Sequence, residues 1–183
     1  MLYNLAELQN DCSSLFKISP SDTLKIVQEL YEKKLVTYPR TDARVLSTAV
    51  AKEIYKNISG LKRYTPMAAY ADEVLNMGSY KTIAKTKYVN DKQITDHYAI
   101  IPTGQGMGAL RGLSEIAANV YEIICRRFLS IFYPAAEDQK LSMTLAKQDE
   151  FLFANFKYML KEGYLKVATN RFARKKDDTK FSP

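Results

Sequence analysis

Thr37-Tyr38-Pro39-Arg40-Thr41-Asp42 brings a phenol and a guanidinium within two positions of each other. Proline bars the residue before it from the α region, so Tyr38 is expected to be extended, with the side chains of Tyr38 and Arg40 on the same side. A tyrosine hydroxyl has an ordinary pKa of about 10, which makes it a weak nucleophile at neutral pH unless a nearby cation stabilises the phenolate. Arg40 offers that cation, and its planar fork matches the oxygens of a phosphate. The chemistry open to this pair is attack of a phenolic oxygen on a phosphodiester. The competing reading is a strand end followed by a solvated arginine.

A second segment, Thr95-Asp96-His97-Tyr98-Ala99-Ile100-Ile101-Pro102-Thr103, holds the single histidine of the sequence and runs into a glycine-rich stretch. An isolated histidine of this kind serves either as a proton-transfer or phosphate-facing group or as a satisfied ring at a turn. The two segments have to be explained together, and the surrounding residues must bring them into register.

Those residues carry clear local signals. Leu5, Leu8, Cys12 and Leu15 recur at helical spacing behind Asn4, a fitting N-cap. Ser19-Pro20-Ser21-Asp22 starts a second helix whose stripe of Leu24, Val27, Leu30 and Tyr31 runs to Lys33-Lys34. The pair reads as a helix-turn-helix-like unit. Residues 35–38 favour a strand that Pro39 stops, and Ser47-Thr48 caps a helix through about Asn57. Residues 59–70, with Gly60 and Pro66, read as a connection before a helix over 71–77. Gly104, Gly106, Gly108 and Gly112 crowd behind Pro102 and predict a mobile loop. From Ser114, the series Ile116, Val120, Ile123, Ile124, Phe128 and Phe132 predicts the longest helix, ending near Tyr133-Pro134. Tyr31, Phe128 and Phe132 lie in these apolar stripes and are read as core. After Pro134 the segments 140–146, 151–158 and 164–168 have strand length and partial alternation, and 171–183 is a basic tail expected to fray. The fold class is therefore α+β, mainly α.

Composition narrows the chemistry. The 183 residues are 46% hydrophobic, enough for a folded core, and 27 Lys and Arg against 20 Asp and Glu give a net charge of +7 that favours polyanionic partners. One histidine rules out a multi-histidine zinc centre. No Gly-x-x-x-x-Gly-Lys-Ser/Thr run cradles nucleotide phosphates and no Asp-x-Asp pair stands ready for Mg²⁺, so neither ATP hydrolysis nor an autonomous metal site is expected. Two distant cysteines, Cys12 and Cys125, the lack of a spanning apolar stretch and the lack of a signal peptide point to a soluble, cytoplasmic protein with no membrane partner.

Together with Leu2-Tyr3-Asn4-Leu5-Ala6-Glu7-Leu8-Gln9 and Leu30-Tyr31-Glu32-Lys33-Lys34-Leu35-Val36, the two motifs resemble type IA DNA topoisomerases, especially the topoisomerase III branch. The resemblance runs from about Leu2 to Ala168. It implies that Tyr38 is the nucleophile forming a transient 5′-phosphotyrosine on single-stranded DNA, that Arg40 faces the phosphate, and that His97 aids the transfer. Tyr98 stands where the family pattern has a second histidine, and Ala43 where a serine commonly follows Thr-Asp. It also implies a fragment: a helical gate domain over 1–132, a β segment of the arch over 133–170 and the tail over 171–183. The Mg²⁺ of the full-length enzyme would be bound by an acidic domain absent here, leaving the isolated chain inactive. The remaining domains of the parent enzyme are then partners, and open strand edges make a homodimer possible. Arg44, Lys52, Arg111, Arg126 and Arg127 are candidate phosphate contacts. The rival reading is a non-catalytic helix-turn-helix-like nucleic-acid-binding module, and a third is a protein-interaction domain with incidental charge.

Overall fold

Each of four expected caps accepts a hydrogen bond from the backbone N–H three residues on, which removes one unsatisfied donor from the first turn of its helix. In the computed structural model, which describes residues 1–134 and Val167, Asn4 starts α1 (Leu5–Phe16) and Ser19 starts α2 (Pro20–Glu32). Ser47 starts α3 (Thr48–Lys52), and Ser114 starts the longest helix described, Glu115–Ser130. Lys17 ends α1 in the left-handed conformation with its N–H on the Ser13 carbonyl, a tight stop that turns the chain back into α2.

The helix expected as a continuation of α3 is broken at Glu53, and α4 (Ile54–Gly60) follows as a separate helix. Pro66 does not mark a connection. It sits in the first turn of α5 (Thr65–Met77), where a missing N–H removes no hydrogen bond, so this helix begins six residues earlier than its apolar pattern suggests. Short 3₁₀ turns over Leu61–Arg63, Ser79–Lys85, Asp91–Gln93 and Met107–Gly112 complete the path to α6 (Glu115–Ser130).

The core is helix on helix. α6 packs against α2 and α5, α1 against α2, and α4 against α5. Val120, Tyr121, Ile124, Cys125, Phe128 and Leu129 of α6 are buried among Leu8, Cys12, Val27, Leu30, Met67, Ala71 and Val74. Phe128 and Phe132 form an edge-to-face pair at 5.3 Å, as their placement in the core requires. Tyr31 departs from the expectation: it stands at the surface, 38% exposed, because the last turn of α2 rotates it off the buried stripe.

The β content among the described residues consists of three isolated bridges, Tyr3 with Ile100, Val36 with Pro102, and Leu46 with Val89. The strands expected over 140–146 and 151–158, the tail over 171–183 and any edge-to-edge dimer lie outside the described residues. Within 164–168, Val167 is helical and fully buried in the core rather than extended. The β preference of valine reflects fit to a pleated surface, and a different packing partner overrides it.

Candidate active site

The Tyr38 segment and the His97 segment run alongside each other as two extended pieces joined by backbone and threonine hydrogen bonds. Thr37 N–H donates to the Ile101 carbonyl at 3.0 Å and Thr103 N–H to the Leu35 carbonyl at 3.0 Å. The Thr37 hydroxyl is inserted between them: it donates to the Ala99 carbonyl at 3.0 Å and accepts from Ile101 N–H at 3.0 Å. Thr103 closes the far end, its hydroxyl 2.6 Å from the Lys34 carbonyl at the close of α2. Buried Thr41 closes the near end by donating to the His97 carbonyl at 3.2 Å, while accepting from Ala43 N–H at 3.1 Å. The N-terminal segment forms a third extended piece, with Ile100 N–H on the Tyr3 carbonyl at 2.8 Å and Leu5 N–H on the Thr41 carbonyl at 3.1 Å.

This bracing sets the side chains. The Tyr38 ring, half-buried, lies 4.2 Å from the His97 ring at an interplanar angle of 35°, and 5.4 Å from the Tyr31 ring at 81°. His97 is exposed, so its ring covers Tyr38 while remaining open to solvent. Arg40 is exposed too, and among the described residues it engages no carboxylate. The chain turns sharply here, with Thr41 N–H on the Pro39 carbonyl at 3.0 Å and Pro39 itself buried. Strand alternation therefore does not extend from Tyr38 to Arg40, which lies in a tight turn and not in a continuous strand.

The first part of the glycine stretch is packed against backbone, whereas an added Cβ at Gly108 or Gly112 would meet nothing within 4 Å. Gly104 takes φ +79°, and a Cβ there would meet the Asn57 and Lys56 carbonyl oxygens at 2.8 and 2.9 Å. A Cβ on Gly60 would fall 2.0 Å from the Gly104 carbonyl oxygen. Backbone thus lies directly on backbone where α4 meets the segment following His97, and Asn57 Nδ2 ties the two by donating to the Pro102 carbonyl at 3.0 Å.

The five other basic candidates separate into two groups. Lys52 and Arg111 are exposed, and Arg44 is partly so, its Nε donating to the Leu2 carbonyl at 3.0 Å and its Nη2 3.9 Å from Glu7. Arg126 and Arg127 are taken up by the fold. Arg126 pairs with Glu122 at 3.3 Å with side-chain exposures of 13% and 5%, and its guanidinium lies 5.9 Å from the Tyr70 ring. Arg127 sits 4.4 Å over the Tyr3 ring, reaches Asp11 at 3.1 Å and donates to the Met1 carbonyl at 3.1 Å, while the Tyr3 hydroxyl donates to the same Asp11. Arg127 thus staples α6 to α1 and the N-terminus, while Arg126 is held by Glu122 of its own helix and lies near Tyr70 of α5. Sequence reasoning could not separate them from surface arginines because their aliphatic stems let them lie along an apolar surface.

Residues 1–182 match the family model for DNA topoisomerase. The chain belongs to the DNA topoisomerase family. Relatives named DNA topoisomerase 3 include those of Bacillus cereus, 35% identical over 175 residues, Bacillus licheniformis, 36% over 178, and Bacillus subtilis, 36% over 169. These alignments cover 93%, 97% and 91% of this chain and 23%, 24% and 22% of the relatives, so the chain spans about a quarter of their length. The resemblance to the topoisomerase III branch drawn from the motifs is borne out. Among the described residues of this topoisomerase segment, no helix is long and apolar enough to cross a membrane. Nor do three His, Cys, Asp or Glu side chains gather among them where they could hold a metal ion, so the donor set described does not fit a Mg²⁺ site.

Proposed function

We propose that this chain is the tyrosine-bearing gate portion of a type IA topoisomerase, with residues 1–132 forming the helical gate domain and 133–170 part of the arch. The observation that carries the reading is the seating of the Tyr38 ring on His97, with Arg40 exposed at the adjoining turn. The Tyr38 oxygen attacks a backbone phosphorus of single-stranded DNA and forms a phosphotyrosyl ester to the 5′ side. The Tyr38 hydroxyl gives up its proton to solvent on attack, the 3′-oxygen departs and takes up one proton in turn, and its return attack restores the strand. One ester replaces another in each direction, so the bond energy is conserved and no ATP is required. Arg40 neutralises charge on the non-bridging oxygens, and His97 donates to the phosphate or to the departing 3′-oxygen. Arg44, Lys52 and Arg111 supply phosphate contacts along the strand. In the parent enzyme, Mg²⁺ would be held by acidic residues outside this chain and would help position the cleaved strand.

Denaturing electrophoresis of a labelled single-stranded oligonucleotide with the full-length enzyme tests the proposal. Tyr38→Phe should abolish the covalent adduct while leaving DNA affinity unchanged, and Arg40→Ala should slow cleavage by about 10²-fold. The isolated 183-residue chain with Mg²⁺ should form no adduct. Adduct formation by Tyr38→Phe would remove the nucleophile and favour the passive nucleic-acid-binding module.

A further inference from the structure

Three rings meet at the site, and only two belong to the motifs that carry the chemistry. The third, Tyr31, comes from the last turn of α2 and meets Tyr38 edge-to-face at 5.4 Å and 81°. Its backbone is fixed independently of any DNA. Tyr31 accepts from Lys34 N–H at 2.9 Å, Lys34 takes the left-handed conformation at φ +64°, and the Lys34 carbonyl accepts the Thr103 hydroxyl at 2.6 Å. Gly106 presses against the same turn from the His97 side, where a Cβ would lie 2.6 Å from the Lys33 carbonyl oxygen. The end of α2, the Tyr38 segment and the His97 segment are therefore cross-braced into one unit.

A tyrosine side chain has two torsions, and a nucleophile whose ring swings wastes attack geometry. One neighbouring ring limits that swing, and two rings at different inclinations, 35° for His97 and 81° for Tyr31, limit both torsions. We infer that Tyr31 is a positioning residue that, with His97, holds the Tyr38 ring in the orientation from which its hydroxyl attacks. The inference rests on the reading of Tyr38 as the nucleophile. It assigns no bond-making step to Tyr31 and needs no Tyr31 hydroxyl, because the contact is between rings.

The test uses the full-length enzyme, single-turnover cleavage at saturating single-stranded oligonucleotide, and a separate binding titration. Tyr31→Ala and Tyr31→Leu should each lower the saturated cleavage rate about tenfold, with DNA affinity within about twofold of the parent, and Tyr31→Phe should cleave at the parental rate. Leu keeps apolar bulk on an exposed helix position, so it separates loss of the ring from loss of folding. A parental cleavage rate in both ring-deleted variants overturns the inference. So does weakened DNA affinity with an unchanged saturated rate, which would make Tyr31 a base-stacking platform. Tyr38→Phe run alongside separates the two levels. If it still forms adduct, the nucleophile reading fails; if it does not, and Tyr31→Ala and Tyr31→Leu cleave normally, only the role of Tyr31 fails.

Discussion

At the scale of single residues, charge that the sequence distributes evenly has two fates. Arg126 and Glu122 are nearly enclosed on α6, so the pair is shielded from water and loss of either side chain removes a desolvated charge contact. Arg127 is half-open, and its contribution is divided among the Tyr3 ring, Asp11 and the Met1 carbonyl. Arg126→Ala is expected to lower folding stability by about 3 kcal/mol and Arg127→Ala by about 1 kcal/mol, the second discounted for exposure. Urea unfolding of the 183-residue chain measures both. Lys52→Ala should leave stability unchanged, and a comparable loss there would show that exposure in the fold does not separate these side chains.

Elements meet most tightly at two glycines. α4 approaches the segment after His97 so closely that Gly60 and Gly104 share the contact, and Gly104 adds a φ that side chains rarely adopt. Relief requires movement of backbone at Lys56, Asn57 or Gly104 itself, because no flexible side chain lies in the way. Gly104→Ala and Gly60→Ala should each destabilise the chain by about 2 kcal/mol or more, read as a lowered denaturation midpoint. Gly108→Ala, with nothing within 4 Å of its added Cβ, should be neutral. The run of glycines thus consists of positions with different jobs. Sequence could flag the cluster but could not show which of its members bear on α4.

Across the whole molecule, the core encloses protonated acids. Burial pushes the Cys12 thiol up from 9.0 to about 12, against an opposing contact with the Thr23 hydroxyl. Burial also raises Tyr3, Tyr121 and Cys125 above their ordinary values. The folded state holds these protons more tightly than the unfolded chain, so the unfolded state binds fewer protons as pH rises. Their stabilising contribution is complete below the unfolded thiol pKa near 9 and is lost as pH climbs through the folded value near 12. Stability should fall above about pH 9 with a slope near 1.4 kcal/mol per unit for each such group, and Cys12→Ala should make the slope shallower. Urea midpoints between pH 8 and pH 11 check this. A flat profile would mean that these protons are not held by burial.

What the sequence determined by itself is local. Asn4, Ser19, Ser47 and Ser114 mark helix starts because a cap acts on an N–H three residues away, and the stripe of α6 names its buried face for the same reason. The motifs likewise named Tyr38, Arg40 and His97 and gave the family resemblance. Tertiary structure alone decided how these side chains are held. Thr37, Thr41 and Thr103 brace partners 56 to 69 positions away, Tyr31 leaves the core to meet Tyr38, and Arg126 and Arg127 turn inward. Threonine, tyrosine and arginine carry no short-range mark of such roles. Their partners are fixed only when distant segments pack, since a hydroxyl, a ring or a guanidinium binds whichever neighbour the fold presents to it.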